Sequence, residues 1–513
     1  MTDDQGYGDL SLHGNPHLST PNMDALAKSG VQFTKFHVSP VCSPTRASLL
    51  TGRYNYRTGV VDTYLGRSMM RTTETTIAEM LKPAGYRTGI FGKWHLGDNY
   101  PLRAVDQGFG ESLVINGGGL LQPGDPPEAL TGVKPSYWNP VLSRNGKWEK
   151  SEGYCTDIFF REAMRFMSSS QRPFFCYVAT NAPHTPLDVD ERLVKPYRAK
   201  GLDETTARVY AMVQNIDDNL GKTLAFLQEK DLERNTLVIF LTDNGPQQER
   251  FNGGMRGRKG SVWEGGTRVP CFVRWPGVVQ AGTTIDTLAA HIDITPTLAE
   301  AAGVKPRTPL DGRSLMPLLQ GKADWSDRKV FLQWHRGDSP EAFRQSAVLS
   351  QKYKLVDGKE LYDLDADPAE STDIAPRLPE TVTEMRASYE KWFQEVGTQG
   401  YAPPRIVVSK LAPTLLTRQD WRGPRASWDD TGIGHWEIQT AFAGPYKVTL
   451  IFPAANEART LDVTWLGKHE IAAGQSKLEL QAVKLPILRE ARFEAVLSGS
   501  TGNKGIHYAY FEP

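Results

Sequence analysis

The sequence predicts an α/β fold: a large, mostly parallel sheet, then a small antiparallel α+β subdomain, then an appended β-sandwich. Three observations predict it. Through the first half, short apolar runs of strand length alternate with amphipathic helical stretches, the pattern of a sheet covered by helices. Residues 237–241 are apolar at nearly every position, as in a strand buried on both faces. Beyond Tyr401-Ala402-Pro403-Pro404, which reads as a linker, short strand-like runs separated by turn residues take over.

The elements follow in order. Residues 22–29 read as a helix ended by Gly30, and 31–38 as a strand. Residues 75–84 read as a helix ended by Gly85 despite Pro83, and 87–91 as a short strand. Residues 99–150 are rich in Gly and Pro without clear periodicity, so they read as an insertion of long loops, which often carry function. Residues 174–179 form a stronger strand. Over 204–229, Val209, Met212, Val213, Ile216, Leu220 and Leu224 keep helical spacing and predict one long helix. Pro296 opens a helix over 295–302 and Gly303 closes it. Short strands at 329–333, 347–349 and 352–356 precede a helix near 380–395. The final strands are predicted at 435–440, 446–452, 459–465, 478–483 and 491–497. The chain therefore divides into a body over 1–324, a subdomain over 325–398 and a β-sandwich over 405–513. Trp421, Trp428, Trp436 and Trp465 of the last unit read mainly as core and interface packing, although aromatics on a β-sandwich can also hold sugars.

At 513 residues the chain exceeds a usual single core, which supports that division. Lys+Arg and Asp+Glu are balanced at 59 each, so no global field favours nucleic acid or a membrane surface. Four cysteines (Cys42, Cys155, Cys176, Cys271) are too few for a disulfide scaffold. Cys176 and Cys271 sit in apolar strand-like runs and read as core. No apolar run is long enough to span a membrane, and no secretory signal is visible.

Cys42 has different surroundings. In Cys42-Ser43-Pro44-Thr45-Arg46-Ala47-Ser48-Leu49-Leu50-Thr51-Gly52-Arg53, Pro44 fits a first helical turn and Gly52 a helix end. Cys42 is thus presented at a helix N-terminus, beside backbone N–H groups that attract anions, and Arg46 adds a permanent positive charge one turn on. A nucleophile so placed suits an anionic ester. Further polar clusters each follow a predicted strand: Lys93 and His95, then His184 after Asn181-Ala182-Pro183, then Asp243-Asn244. In an open parallel sheet the carboxyl ends of strands share one edge, where sites form. Asp3, Asp4, Asp243 and Asn244 offer only oxygen ligands, the set preferred by Ca²⁺ and Mg²⁺.

The extended Cys42 segment resembles the signature of the formylglycine-dependent (type I) sulfatases, arylsulfatase-like members of the alkaline-phosphatase-like superfamily. Gly92-Lys93-Trp94-His95-Leu96-Gly97, Pro183-His184-Thr185-Pro186-Leu187 and Arg258-Lys259-Gly260-Ser261-Val262-Trp263-Glu264-Gly265-Gly266 match further segments, in the family's order, over roughly residues 1–270. Glu360-Leu361-Tyr362-Asp363-Leu364 with Asp367-Pro368-Ala369-Glu370 resembles the small antiparallel subdomain that ends many sulfatases.

The resemblance implies an alkaline-phosphatase-like sandwich fold and hydrolysis of a sulfate ester. It implies that a maturation enzyme oxidises Cys42 to formylglycine, whose hydrate is the nucleophile. It assigns Asp3, Asp4, Asp243 and Asn244 to one metal ion, usually Ca²⁺, with residue 42 completing the shell. Lys93 and His95 are assigned to the hydrated aldehyde and the sulfate, His184 and Lys259 to the sulfate. Arg46 would stabilise developing charge. In this scheme His184 or Lys259 protonates the departing alcohol and His95 takes the proton of the second hydroxyl. The rivals are a formylglycine-dependent phosphonate or phosphodiester hydrolase, and a catalytically silent glycan-binding protein with Cys42 left as a thiol. The extra β-unit and the 99–150 loops point to a sulfated saccharide, and Arg250, Arg256 and Arg258 to further anionic groups on it. The family implies a periplasmic or secreted location. Sulfatases carry an apolar strand immediately before the aspartate pair; none precedes Asp3 here, and an upstream leader is expected to have gone with it. Asp3 and Asp4 are then expected on a fraying terminus beside an unpaired sheet edge.

Overall fold

The computed structural model describes residues 1–130, 137–322 and 325–513, so the boundary expected at 324/325 abuts residues outside those described. Two sheets form the body. One runs, in spatial order, Lys147–Lys150, Val141–Arg144, Glu111–Ile115, Arg87–Lys93, Phe174–Ala179. The other runs Val238–Leu241, Cys271–Arg274, Val31–Phe33, Thr283–Ile285.

Met1, Thr2 and Asp3 join them. The terminal amine of Met1 donates to the Val178 carbonyl (2.8 Å), and Thr180 N–H donates to that of Met1 (3.0 Å). On the other side Thr2 N–H donates to Leu241 and Asp243 N–H donates to Thr2, both at 3.1 Å. Asp3 and Asp4 are fully buried rather than frayed, because backbone bonds to two neighbours satisfy the chain start. Val238–Leu241 is half-buried at Val238 and Ile239, and fully buried only at Phe240 and Leu241.

Arg87–Lys93 pairs in parallel with both neighbours, and Thr2 bridges Thr242 in parallel. The carboxyl ends of these strands therefore share one edge, as expected. Cys271–Arg274 and Val141–Arg144 run against their neighbours. The region expected to be long loops, whose residues 131–136 lie outside those described, thus contributes three strands. Asn145 and Gly146, at φ 51° and 82°, form the two-residue turn of its hairpin, the Asn-Gly signal of a type I′ connection. The strand expected over 31–38 is split in two, since Phe36–His37 leaves to pair with Ala289–Ala290. The helix expected over 75–84 shortens to Ile77–Leu81, where Thr76 and Glu79 form a capping box.

The small subdomain is a consecutive antiparallel sheet (Val330–Gln333, Ser346–Leu349, Tyr353–Val356, Glu360–Asp363) covered by the helix Pro379–Val396 through Met385, Tyr389 and Trp392. The C-terminal unit has two sheets. One holds Ile406–Val408, His435–Thr440, Leu488–Gly499, Arg459–Val463 and Gly467–Ile471, with Gly502–Gly505 attached. The other holds Thr414–Thr417, Tyr508–Glu512, Tyr446–Ile451 and Lys477–Val483. Their inner faces share one apolar core, with Trp436 and Phe493 from the first and Val448 and Phe511 from the second. Trp421 joins that core as expected, while Trp465 is exposed. Leu65, Met69 and Leu102 of the body extend the same core, and the Asn99 amide bonds both backbone groups of Leu415 (2.8 and 2.9 Å). Among the described residues no helix is long and apolar enough to cross a membrane.

A buried charge network ties the small subdomain to the body. Lys354 Nζ bonds Glu264 (3.0 Å) and Glu370 (2.9 Å), with all three side chains inaccessible to water. Burial pushes the Glu264 carboxyl up, but Lys354 and His37 outweigh it and hold it at about 2. Lys354→Met would leave two carboxylates buried without their cation. It is expected to cost roughly 3–5 kcal/mol, read as a lower denaturation midpoint. A midpoint equal to that of the parent would show that the network does not tie these units.

Candidate active site

Cys42 is the first residue of the helix Cys42–Thr51, which follows extended Val41 with no side-chain cap, so its first N–H groups remain available to an anion. Gly52, at φ 68°, closes the helix by donating to Ser48 (2.8 Å). All ten helical residues are buried, so surrounding packing holds the helix that presents Cys42. Burial pushes its thiol up, while Lys93 and Lys259 pull it down.

His95 faces it. The chain continues past Arg87–Lys93 along the neighbouring strand, with Trp94 and His95 N–H donating to Ile115 and Asn116. His95 Nδ1 lies 3.4 Å from Cys42 Sγ, and its Nε2 lies 2.7 Å from the Thr63 carbonyl. A carbonyl only accepts, so Nε2 carries the hydrogen and the Nδ1 lone pair points at residue 42. Burial and the Lys93 charge hold this imidazole neutral, well below its ordinary value. His184 is fixed in the opposite sense. Its Nδ1 donates to the Thr185 carbonyl (2.7 Å) and its Nε2 lies 3.9 Å from Asp4, with the pKa pushed to about 3 by burial and Lys259.

Three carboxylates each meet a cation: Asp3 with Lys93 (2.5 Å), Asp4 with Lys259 (2.6 Å) and Asp243 with Arg46 (2.7 Å). Arg46 is buried. It also donates to the Lys93 carbonyl (3.0 Å) and lies 3.5 Å from Asp3, so it braces the carboxylates from behind and does not line the cleft. Burial pushes Asp4 up, but Lys259 and His184 hold it well below the carboxylate range; burial and Asp243 push Asp3 up to about 7. Asp4 and His95 both adopt left-handed backbone (φ 62° and 61°), strain of the kind concentrated at functional sites.

These residues fit a hard divalent cation. Asp3 Oδ1, Asp4 Oδ2 and Asn244 Oδ1 are buried and have no hydrogen-bond partner among the described residues. Leaving such oxygens unmade costs about 1–3 kcal/mol each, and one cation would satisfy all three. Asn244 Nδ2 donates to Asp4 (2.8 Å) and to the Gly245 carbonyl (2.9 Å), which fixes the amide and frees its oxygen. Asp3, Asp4 and His184 offer ligand atoms within 4.8 Å of one another. A nitrogen is the less suitable ligand for Ca²⁺, and His184 Nε2 stands at the margin of the set.

A cavity of about 410 Å³, the size of a small-molecule site, opens over Cys42, His95, His184 and Lys259. Its roof comes from the 99–150 region. A Cβ at Gly118 would lie 2.7 Å from the Gln122 side-chain oxygen and 3.0 Å from His95, so any larger residue there would have to displace one of them. Arg250, Arg256 and Arg258, expected to meet the substrate, do not line it. Arg250 is buried on Asp9 (2.6 Å), Arg256 stacks on Trp263 (3.5 Å), and the exposed Arg258 lies 3.9 Å from Glu249. Instead the cavity is lined by Tyr64, Trp334, Arg336 and, from the C-terminal unit, Trp428. None stands in a motif that marks it. A hint lay in the isolated Trp334-His335-Arg336 cluster.

The profile of the family described as Sulfatase matches residues 1–304, and one described as N-sulphoglucosamine sulphohydrolase, C-terminal, matches 258–395. The chain belongs to the sulfatase family and is a hydrolase of sulfate esters. Human N-acetylgalactosamine-6-sulfatase is 34% identical over 369 residues, covering 66% of this chain and 68% of its own. Human arylsulfatase A is 31% identical over 452 residues, covering 82% and 87%. The crystal structure of Ps i-CgsB in complex with k-i-k-neocarrahexaose superposes with a TM-score of 0.71 at 30% identity, over 79% of this chain and 94% of that one.

Sequence reasoning missed one further residue. Gln419, buried in the C-terminal unit, donates its Nε2 to the Thr63 carbonyl (3.1 Å), the same oxygen that holds His95. Gln419→Ala is expected to lower kcat about fivefold, the effect of one hydrogen bond of about 1 kcal/mol, with less change in KM. A lower melting temperature with kcat intact would make Gln419 a packing residue only.

Proposed function

We propose that this sulfatase removes sulfate from a carbohydrate through formylglycine at position 42 beside a Ca²⁺ ion. The observation that carries the reading is the His95 Nδ1 lone pair aimed at residue 42, next to three orphaned carboxyl and amide oxygens. When present, Ca²⁺ polarises sulfate oxygens and the formylglycine hydrate supplies the nucleophilic oxygen. Asp3, Asp4, Asp243 and Asn244 would hold the ion.

The remaining work falls to this chain's own groups. Arg46, Lys93 and Lys259 balance the three carboxylates, so a divalent ion leaves the site at a net charge of two, matched to an anionic ester. His95 receives a proton from residue 42 at Nδ1 while Thr63 keeps the ring in that tautomer. Of the two candidate proton donors, Lys259 carries a proton at neutral pH and His184 does not. Lys259 therefore protonates the departing alcohol, and His184 accepts a hydrogen bond at Nε2. A carbohydrate substrate is supported by the relative named N-acetylgalactosamine-6-sulfatase and by the k-i-k-neocarrahexaose in the complex that superposes on this chain.

The test uses protein co-expressed with a formylglycine-generating enzyme, with residue 42 verified by peptide mass. Cys42→Ser is expected to retain Ca²⁺ binding and to lose multiple turnover of an aryl sulfate by roughly 10³-fold or more. Chelation is expected to abolish turnover and Ca²⁺ to restore it. Sulfate esters are expected to turn over faster than matched phosphonate esters. Full turnover by Cys42→Ser, or by the chelated enzyme, would sink the mechanism.

A further inference from the structure

Both family matches end by residue 395, yet Trp428, far beyond that point, lines the same cavity as Cys42 and Lys259. Its indole meets Tyr64 edge-on, with centroids 5.2 Å apart and planes at 82°, and its buried Nε1 has no hydrogen-bond partner among the described residues. A further part of the lining comes from the small subdomain. The Arg336 guanidinium lies 4.4 Å from the Tyr64 ring and 5.0 Å from that of Trp334. Three units of the chain thus converge on one aromatic-walled cleft.

The charge of this wall is unbalanced. Buried Asp62 accepts from Arg336 (2.7 Å) and from Trp334 Nε1 (3.0 Å), and it lies 3.7 Å from Arg67. Asp338 pairs with Arg67 (2.7 Å) and with Arg422 of the C-terminal unit (3.1 Å). Three arginines therefore share two carboxylates, leaving one positive charge in excess. The Arg336 side chain is 49% exposed, while that of Asp62 is 0% exposed. Among the described residues no carboxylate lines the cavity, whose two formal charges are Lys259 and Arg336. Lys259 is committed to Asp4 and the sulfate position; Arg336 is held by one edge and keeps the rest of its fork for another group.

We infer that Tyr64, Trp334, Arg336 and Trp428 form a second subsite, for a sugar ring that bears its own anionic group, next to the sulfate that is cleaved. The inference rests on the sulfate-ester reading above and deepens it: the substrate is a polyanionic saccharide, and the C-terminal unit helps select it. Aromatic faces supply the ring contact and the exposed guanidinium the charge-assisted pairing.

The test compares Trp428→Ala and Arg336→Gln with the parent on three sulfate esters: an aryl sulfate, a monosulfated disaccharide, and disaccharides carrying a second sulfate or a uronic carboxylate. The ratio of kcat/KM on the doubly anionic saccharides to that on the aryl sulfate is expected to fall about 10- to 100-fold in either variant. Arg336→Gln is expected to erase the parent's preference for doubly over singly anionic disaccharides. Trp428→Phe is expected to recover most of the loss caused by Trp428→Ala. The sulfate and carboxylate arms show which anion the subsite prefers. Equal losses on aryl and saccharide esters, or no loss on any, would overturn the subsite, as would a parent that cleaves aryl sulfate and no saccharide. If the parent cleaves no sulfate ester, calorimetric binding of the same disaccharides decides. Binding that depends on Arg336 and Trp428 would keep the subsite while the hydrolase reading falls; binding indifferent to them would remove both.

Discussion

Six charges, five of them buried, gather at the carboxyl ends of strands from the two joined sheets and set the terms for the rest of this protein. Asp3, Asp4 and Asp243 pair with Lys93, Lys259 and Arg46 where water scarcely reaches. Taking each ion out of water costs several kcal/mol, and attraction offsets this only when geometry is held closely. The holding is done by backbone. Lys93 ends a strand paired on both sides, Asp243 follows another, and Asp3 is fixed between them by Met1 and Thr2. Lys259 comes from a loop pinned in turn by Gly245, where a Cβ would lie 1.9 Å from the Gly265 carbonyl. The sheet is thus the instrument that makes a cluster of like and unlike charges tolerable, and the same cluster is the candidate site.

Much of this was legible because it is local. The helix start at Cys42, its stop at Gly52 and the polar residues one or two places past each strand are short-range patterns, and parallel topology then brings distant patterns to one edge. What escaped is non-local. Glu111–Ile115 and the hairpin at 141–150 gain their stability from strands outside their own segment, so a stretch rich in Gly and Pro looked like loop. Arg250, Arg256 and Arg258 look alike in sequence, but a buried aspartate takes the first, an indole the second and solvent the third. Arg336 and Trp428 carried no motif, and only the docking of three units gives them a common cleft.

That docking is more than adhesion. The loop from Asp62 to Met70 is touched from both sides. Gly66 N–H donates to Gln419 (2.9 Å), Arg422 donates to the Leu65 carbonyl (3.1 Å), and Arg336 grips Asp62. In the middle of this loop the Thr63 carbonyl accepts from His95 and Gln419 together. The tautomer of the candidate base, which decides whether a lone pair or a hydrogen faces residue 42, is therefore set by an oxygen that the C-terminal unit helps to place. A unit lying outside both family matches thus touches the support of the candidate base through one carbonyl and lines the cleft through one indole.

The two histidines show why that control matters. Both are buried and neutral, and both use one ring nitrogen to donate to a backbone carbonyl, yet they present opposite atoms: His95 offers Nδ1 and His184 offers Nε2. Neither has a proton to give toward the cleft, so both face it as acceptors, and the ammonium that lines the cavity is that of Lys259. Lys93 is wholly enclosed, while Lys259 keeps about a sixth of its side chain exposed at the cavity wall. The proposed mechanism divides the labour accordingly: the imidazoles receive, the Lys259 ammonium gives, and Lys93 stays paired with Asp3.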